Sequence, residues 1–162
     1  MTRTSTGARA WRLLADVPDP EIPVLSVLDL GIVRDVTESP DGHSVTVVIT
    51  PTYSGCPATE VIARDVRTAL ESSYDVVDVQ TRLSPAWTTD WLSDVGRDKL
   101  QSFGIAPPGI VLLPLVGVGR PESCPHCGSA EVEELAGFGS TPCKALWRCL
   151  TCREPFDYFK KH

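Results

Sequence analysis

Two Cys-x-x-Cys pairs near the C-terminus constrain this chain more than any other feature. Cys124 and Cys127 form the first pair, and Cys149 and Cys152 form the second. A two-residue gap lets both sulfurs of one tight turn face a single ion, so two such pairs supply the four ligands of tetrahedral zinc. A module of about 40 residues buries too little apolar surface to fold alone, so the metal would act as its core. The pattern therefore predicts a zinc-ribbon β module at residues 122–162 with one structural zinc ion.

Several points in this ribbon stay open. The same four sulfurs could hold iron as a redox centre, although the zinc ribbon is the commoner use of this geometry. Cys143 has no Cys-x-x-Cys partner and is interpreted either as a buried small hydrophobic residue or as a free thiol near the metal. His126, inside the first pair, is expected to face solvent, because structural zinc takes four ligands. The aromatic residues of the tail are expected to exceed what so small a module can bury.

The residues before the ribbon alternate between helical and strand-like patterns. The turn sequence Ser-Pro-Asp-Gly at 39–42 predicts an antiparallel hairpin, and the helix after it predicts a crossover to a parallel third strand. The predicted fold class is α+β, a small three-stranded mixed sheet with packed helices followed by the ribbon. Helices are expected at 8–17, 57–72 and from Thr88 or Thr89 to Leu100, with one or two helical turns at 23–30, and strands are expected at 32–38, 43–50, 74–83, 145–148 and 156–159.

Composition also suggests where one part of the chain ends. Pro and Gly interrupt the chain repeatedly after Gly104, which predicts a domain at 8–104, a linker at 105–121 and the ribbon at 122–162. Residues 110–113 are too apolar for a free linker and are expected to pack as an edge strand.

Cys56 lies in the loop Thr-Pro-Thr-Tyr-Ser-Gly-Cys-Pro at 50–57, between a predicted strand and a predicted helix. Pro57 suits the first helical position and would place Cys56 at the N-cap, where the helix dipole and free amides favour a thiolate. Thr52 and Ser54 add hydroxyl groups. The local chemistry permits a nucleophile, a metal ligand, a transient cluster ligand or a buried structural cysteine.

Acidic residues earlier in the chain are weaker candidates. Asp19 and Glu21 flank a proline, and their carboxylates could coordinate metal or accept hydrogen bonds from backbone amides. Asp19 is also an ordinary turn-forming residue. His43 is expected to be solvated beside the hairpin turn, so a thiol hydrolase is not supported.

Bulk properties exclude several classes of protein. The 162 residues carry a formal net charge of -6, which opposes binding to phosphate backbones, and the mildly basic C-terminal tail is offset by preceding glutamates. No apolar stretch approaches the roughly 20 residues of a membrane span. An arginine-containing start loosely imitates a transit peptide, but an amphipathic first helix is favoured. Clustered cysteines that bind metal rather than form disulfides are typical of a reducing compartment, so we expect a cytoplasmic protein. From the charge and the hydropathy we expect no nucleic-acid and no membrane partner.

Several segments together resemble a known family. The first part resembles the small domain of iron–sulfur assembly factors of the SufT type, and the tail narrows the resemblance to the PaaD family, also called PaaJ, whose members accompany the phenylacetyl-CoA epoxidase system as one of its subunits. The segments that carry the resemblance are Asp-Pro-Glu-Ile-Pro at 19–23, Asp-Leu-Gly-Ile-Val-Arg-Asp-Val at 29–36, the Cys56 loop at 50–57, Phe-Gly-Ser-Thr at 138–141, Cys-Lys-Ala-Leu at 143–146 and Arg-Glu-Pro-Phe at 153–156.

This resemblance implies an accessory or maturation factor for a ring-epoxidising oxygenase of aerobic phenylacetate catabolism. It implies a candidate reactive or cluster-carrying thiol at Cys56, grouped with Thr52, Ser54, Asp19 and Glu21, and a transient iron or iron–sulfur cluster as cargo. The expected partners are oxygenase or reductase subunits, and a homodimer is possible. The alternative is a non-catalytic structural subunit of the oxygenase complex. The sequence has no Glu-x-x-His di-iron pattern and no nucleotide-binding glycine loop, so we do not expect catalysis by this chain itself.

Overall fold

The computed structural model describes residues 7–109 and 119–161, and it divides the chain into two units, Met1–Ser93 and Asp94–His162. A helix at 94–103 and a two-residue strand after it group with the ribbon residues rather than with the first unit. The division into independently folding parts at 8–104 and 122–162 stays a prediction. The expected strand at 110–113 lies outside the described residues.

The first unit is an α+β fold with the predicted mixed sheet. Strands β1 and β2 pair antiparallel, β2 and β3 pair parallel, and the second helix makes the crossover between the parallel strands, as expected. Its elements are α1 (Ala8–Leu14), β1 (Val33–Glu38), β2 (Ser44–Ile49), α2 (Thr59–Glu71) and β3 (Val76–Thr81).

Alternation along the central strand explains how the sheet and α2 form a core. Val45 and Val47 are fully buried on one face of β2. Ile62, Val66 and Leu70 recur at helical spacing on α2 and are also buried, so the helix covers the sheet with one apolar face. The hairpin turn that sets the register of β1 and β2 forms at the predicted Ser-Pro-Asp-Gly sequence.

Of the one or two helical turns expected at 23–30, the structure forms one, at 26–30, which is too short to be a helix. Leu30 N donates to Ser26 O at 3.1 Å, which is the hydrogen bond of a helical turn. Ser26 and Asp29 cap this turn reciprocally: Asp29 Oδ2 accepts from Ser26 N at 2.9 Å, and Ser26 Oγ accepts from Asp29 N at 3.1 Å. Gly31, at φ 68°, follows the turn.

The last predicted helix is divided into two pieces. Thr88 caps a short 3-10 helix, Thr89–Trp91, by accepting from Asp90 N at 3.2 Å. Leu92 then takes an extended conformation, and α3 (Asp94–Phe103) begins in the second unit and ends before Gly104, as expected. The capping residue was thus correctly predicted, whereas the interruption was not.

The second unit is built around a four-stranded sheet in the order β4-β7-β6-β5. Strands β5, β6 and β7 form an antiparallel meander, and β4 pairs parallel with β7. Both ribbon strands that the sequence predicted are present. The strands are β4 (Ile105–Ala106), β5 (Val132–Ala136), β6 (Lys144–Cys149) and β7 (Pro155–Phe159). Among the described residues, no helix is long and apolar enough to cross a membrane.

Candidate metal centre and candidate carrier thiol

The first cysteine pair lies in a tight turn before β5. Cys124 N donates to Ser129 O at 2.8 Å, and Gly128 N donates to Cys124 O at 2.9 Å. Gly128 takes φ 76°, a left-handed conformation that costs glycine little and other residues more. This backbone geometry turns the sulfurs of Cys124 and Cys127 to the same side.

The second pair repeats the same turn between β6 and β7. Cys149 N donates to Glu154 O at 3.0 Å, and Arg153 N donates to Cys149 O at 3.1 Å, four residues after the cysteine as in the first pair. Arg153 takes φ 68° at the position that Gly128 occupies in the first turn. Nothing in the sequence indicates this left-handed arginine, because glycine is the residue that normally marks the conformation.

The two turns bring the four predicted ligands together. The sulfurs of Cys124, Cys127, Cys149 and Cys152 all lie within 4.8 Å of one another. Cys124 Sγ is 3.8 Å from Cys152 Sγ, and Cys127 Sγ is 3.6 Å from Cys149 Sγ. A tetrahedral site with Zn–S bonds of about 2.3 Å has sulfur–sulfur edges of about 3.8 Å. The donor set and its spacing therefore fit one tetrahedral metal ion.

The electrostatics of the cluster also favour a bound cation. Cys152 N donates to Cys149 Sγ at 3.4 Å, and this hydrogen bond lowers the pKa of the Cys149 thiol to about 6. For Cys152, a backbone hydrogen bond at Glu154 lowers the pKa, but desolvation and the neighbouring sulfurs outweigh it and raise the pKa to about 12. Negative charges on adjacent sulfurs repel each other, and a divalent cation between them removes that repulsion.

An aromatic core lies beside the cysteines. Cys124, Cys149, Trp147, Phe156 and Tyr158 are buried in one cluster, with the Trp147 and Tyr158 rings edge to face at 6.0 Å between centroids. The small module therefore hides most of its aromatic residues, and the expectation that they would exceed its core is confirmed only for Phe138. His126 is exposed, as expected, and Cys143 is buried outside the four-sulfur cluster.

Phe138 is the aromatic residue that the ribbon leaves in solvent, with 72% of its surface exposed. Its ring lies under Lys160 Nζ at 4.2 Å from the centroid, and the same ammonium donates to Gly137 O at 3.1 Å. Lys160 thus holds the loop around Phe138, which connects β5 to β6, through two contacts.

An ion pair between a buried lysine and a half-buried aspartate also lies against this loop. Lys144 Nζ lies 3.1 Å from Asp157 Oδ2, and Gly139 N donates to Lys144 O at 2.8 Å. A Cβ at Gly139 would lie 2.8 Å from Asp157 Oδ1, so only glycine fits without a shift. The sequence marked this segment only through its family resemblance and contained no indication of the ion pair.

Cys56 lies in the loop that connects β2 to α2. The N-cap of α2 is Ala58, so the expectation that Cys56 itself caps the helix was wrong. A turn intervenes, in which Thr59 N and Thr59 Oγ1 donate to Cys56 O at 3.2 and 2.9 Å. The Cys56 side chain is half-buried, and Ser54 and Pro57 are exposed. The thiol is therefore at the protein surface rather than enclosed in the core.

Asp19, Glu21 and Thr52, the other residues grouped with Cys56, lie in two loops, and their participation in one site stays a prediction. Asp19 is 6% exposed, and its Oδ1 accepts hydrogen bonds from Glu21 N at 2.9 Å and Ile22 N at 2.7 Å. This is the turn-forming role that the sequence allowed. Glu21 is half-buried in the same turn, and Thr52 is half-buried in the Cys56 loop.

Comparison with known proteins matches both parts of the chain. Residues 8–81 match the family model of an iron–sulfur cluster assembly protein, and residues 116–160 match that of the PaaD zinc beta ribbon domain. An Fe-S protein maturation auxiliary factor of Porphyromonas gingivalis is 44% identical over 85 residues, covering 51% of this chain and 79% of its own.

Solved structures agree with the fold of the first unit. The crystal structure of a domain of unknown function from Bacillus anthracis has a TM-score of 0.54 at 26% identity and covers 58% of this chain and 90% of its own. A conserved hypothetical protein from Thermotoga maritima has a TM-score of 0.50 at 29% identity and covers 62% of this chain and 98% of its own.

A longer match includes both units. An Escherichia coli K12 protein, provisionally named as one of the subunits of 1,2-phenylacetyl-CoA epoxidase, is 48% identical over 156 residues, covering 93% of this chain and 90% of its own. The chain combines an iron–sulfur assembly domain with a PaaD ribbon and is 48% identical to this subunit over nearly its whole length. The protein therefore belongs to the PaaD family of phenylacetyl-CoA epoxidase subunits.

Proposed function

We propose that this protein is an accessory maturation factor for a phenylacetyl-CoA epoxidase, aiding assembly of an iron–sulfur or di-iron centre in a partner subunit. The observation that carries the proposal is the 48% identity to the Escherichia coli epoxidase subunit over 93% of the chain. The match of residues 8–81 to an iron–sulfur cluster assembly family supports maturation over catalysis.

Cys56 is the candidate carrier of iron or of a cluster. A carrier thiol must reach its cargo and release it, so it cannot be sealed in hydrocarbon. Half-burial of Cys56 beside exposed Ser54 and Pro57 satisfies that requirement. Its sulfur would hold the cargo, and the turn that fixes its backbone, through the two hydrogen bonds from Thr59, would hold the sulfur in place.

The ribbon has a different part in this proposal. Four cysteines that close around one position leave no open site for substrate, which is the arrangement of structural zinc. Cys124 and Cys149 have no exposed surface, so the ion would stabilise the module rather than leave it. The loop around Phe138, which Lys160 holds in place, would contact the partner. An exposed aromatic side chain that is already held in place loses little conformational entropy on binding.

Replacing Cys56 by serine tests the carrier role. The Cys56→Ser variant, co-expressed with the epoxidase reductase and oxygenase subunits, should lower the iron–sulfur content of the reductase or the iron content of the oxygenase. Ser72→Ala, an exposed change just after α2 and outside the candidate site, is the control and should leave both unchanged. Unchanged metal content in the Cys56 variant would remove this thiol from the mechanism.

Replacing Phe138 tests the docking surface. Phe138→Ala should weaken co-purification with the partner subunit, whereas Leu150→Ala, which removes another exposed apolar side chain of the ribbon, should not. Equal loss in both variants would contradict a role specific to the Phe138 loop.

The alternative is a non-catalytic structural subunit of the oxygenase complex. Such a subunit would co-purify with the oxygenase at fixed stoichiometry, and the Cys56→Ser complex would contain its full complement of metal. A maturation factor would instead bind substoichiometrically and dissociate once the partner is loaded.

A further inference from the structure

The outer edge of the three-stranded sheet is an open β-strand. β3 is the last strand in the order β1-β2-β3. Val76 N and Arg82 N donate to carbonyl oxygens on the β2 side. Because backbone direction alternates along a strand, Val77, Val79 and Thr81 direct their N–H and C=O groups away from β2. In the described part of the chain, no strand pairs with that outward row.

Side-chain exposure along β3 agrees with an unfilled edge. Val76 is 61% exposed, Asp78 and Gln80 are also exposed, and Leu83, two residues after the end of β3, is 53% exposed. Natural proteins usually block a free edge with proline, a bulge, charged side chains or a very short strand. β3 has six residues and contains neither proline nor a bulge in its pairing with β2, and its one charge, Asp78, accepts a hydrogen bond from Gln80 Nε2 at 2.6 Å.

We propose that two copies of this chain associate through β3, pairing antiparallel to make a continuous six-stranded sheet. The charges of Asp78 in β3 and of Arg82 directly after it select one register, and Arg82 N still donates to Ile49 O of β2 at 2.8 Å. With Gln80 opposite the partner subunit's Gln80, Asp78 lies opposite the partner subunit's Arg82, and the two-fold axis makes this pair twice. Val77 then lies opposite the partner subunit's Leu83, which joins two apolar side chains on the other face.

Two neighbouring registers also place side chains of the same sheet face opposite each other, but their charge pairing is less favourable. Shifting the axis to Val79 places Arg82 opposite the partner subunit's Val76, so no charges pair. Shifting it to Asp78 places two carboxylates opposite each other, which is destabilising. The axis at Gln80 is the arrangement among these three that pairs opposite charges. This inference is independent of the proposed function.

Charge reversal tests the pairing. Full-length protein should sediment at twice 17.6 kDa at micromolar concentration, and Asp78→Arg or Arg82→Asp should raise the dimer dissociation constant about 10-fold or more, because each makes two like-charge pairs. The double variant Asp78→Arg, Arg82→Asp should restore dimerisation. Asp35→Arg, the same charge change on exposed β1 at the opposite edge, is the control and should have no effect.

A cysteine at the proposed axis tests the register. Gln80 is predicted to face its own copy as a non-hydrogen-bonded pair, with Cα atoms about 4.5 Å apart, a distance that a disulfide spans. Gln80→Cys should therefore give a covalent dimer on mild oxidation, identified by peptide mapping. Thr81→Cys should not, because Thr81 faces the partner subunit's Val79.

Each outcome decides the proposal. Dimerisation that is lost on either reversal and restored by the double variant, with a Gln80→Cys cross-link, supports it. A monomeric wild-type chain at high micromolar concentration overturns it. So does a dimer that survives both single reversals, or one that cross-links through Thr81→Cys but not through Gln80→Cys, since another surface or register would then hold it.

Discussion

Replacing Cys149 by serine should remove the metal from the ribbon and unfold that module alone. Cys149 ends β6, is fully buried and lies 3.6 Å from Cys127 across the cluster. A serine hydroxyl is not a ligand that structural zinc uses, so the variant retains three of its four thiolates. Structural zinc contributes about 10–16 kcal/mol to the folding of small modules, whereas a core this small supplies no more than about 3–5 kcal/mol. Losing even half of the metal's contribution exceeds what the remaining core can offset.

The assay combines zinc content with unfolding of the ribbon. Wild-type protein should contain one zinc per chain, and Cys149→Ser should contain close to none. Near-ultraviolet circular dichroism should lose the signal of Trp147, which is buried beside the cysteines, while the far-ultraviolet signal of the first unit persists.

Cys143→Ser is the matched control, because Cys143 is equally buried but lies outside the cluster. It should keep its zinc and lose only about 1–3 kcal/mol for burying a hydroxyl. A Cys149→Ser protein with one zinc per chain and unchanged ribbon signals would refute the reasoning.

Three further predictions concern stability. Gly31→Ala should destabilise the first unit by about 2–4 kcal/mol in urea unfolding, since φ is +68° and a Cβ there would overlap the backbone of the 3-10 helix; Gly42→Ala, at φ +73° in open space, should cost only about 1–2 kcal/mol. Asp157→Ala should lower the stability of the ribbon by about 3 kcal/mol in thermal unfolding, because it leaves the buried Lys144 ammonium without its ion-pair partner. Burial raises the pKa of Tyr158 to about 12, above the usual value of 10, so its stabilising contribution should be complete below pH 10 and decline from pH 10 to 12. Burial and the neighbouring Glu38 raise the pKa of Tyr74 to about 12 as well, so an alkaline titration followed at 295 nm should show two late phenolates, of which Tyr158→Phe removes one.

Much of the fold was predictable because local signals and tertiary packing agree. The Ser-Pro-Asp-Gly turn, the alternating β2 and the helical spacing of Ile62, Val66 and Leu70 each indicate the element that forms. The failures occurred where a helix begins or is interrupted. Leu92 is extended and divides the last predicted helix into two pieces, and nothing in the apolar pattern reveals this interruption.

One candidate site was predictable from local sequence, and the other was predictable only in part. The four ribbon cysteines were predicted from spacing alone, because a two-residue gap leaves few other uses for paired thiols. The position of Cys56 was predicted only approximately. Pro57 suggested the start of a helix, but Thr59 bonds to the Cys56 carbonyl and inserts a turn first. A shift of two residues at a helix end is within the range that sequence patterns leave undetermined.

The sequence by itself determined the cysteine framework, the hairpin, the crossover helix and the order of the two units, because each is specified by residues close together in the chain. Only the tertiary structure decided which side chains remain at the surface. It buries Trp147, Phe156 and Tyr158 around the cysteines and leaves Phe138 and the edge of β3 exposed. Exposure depends on which distant segments pack together, so composition and periodicity cannot specify it. The surfaces available to partners are therefore properties of the folded chain.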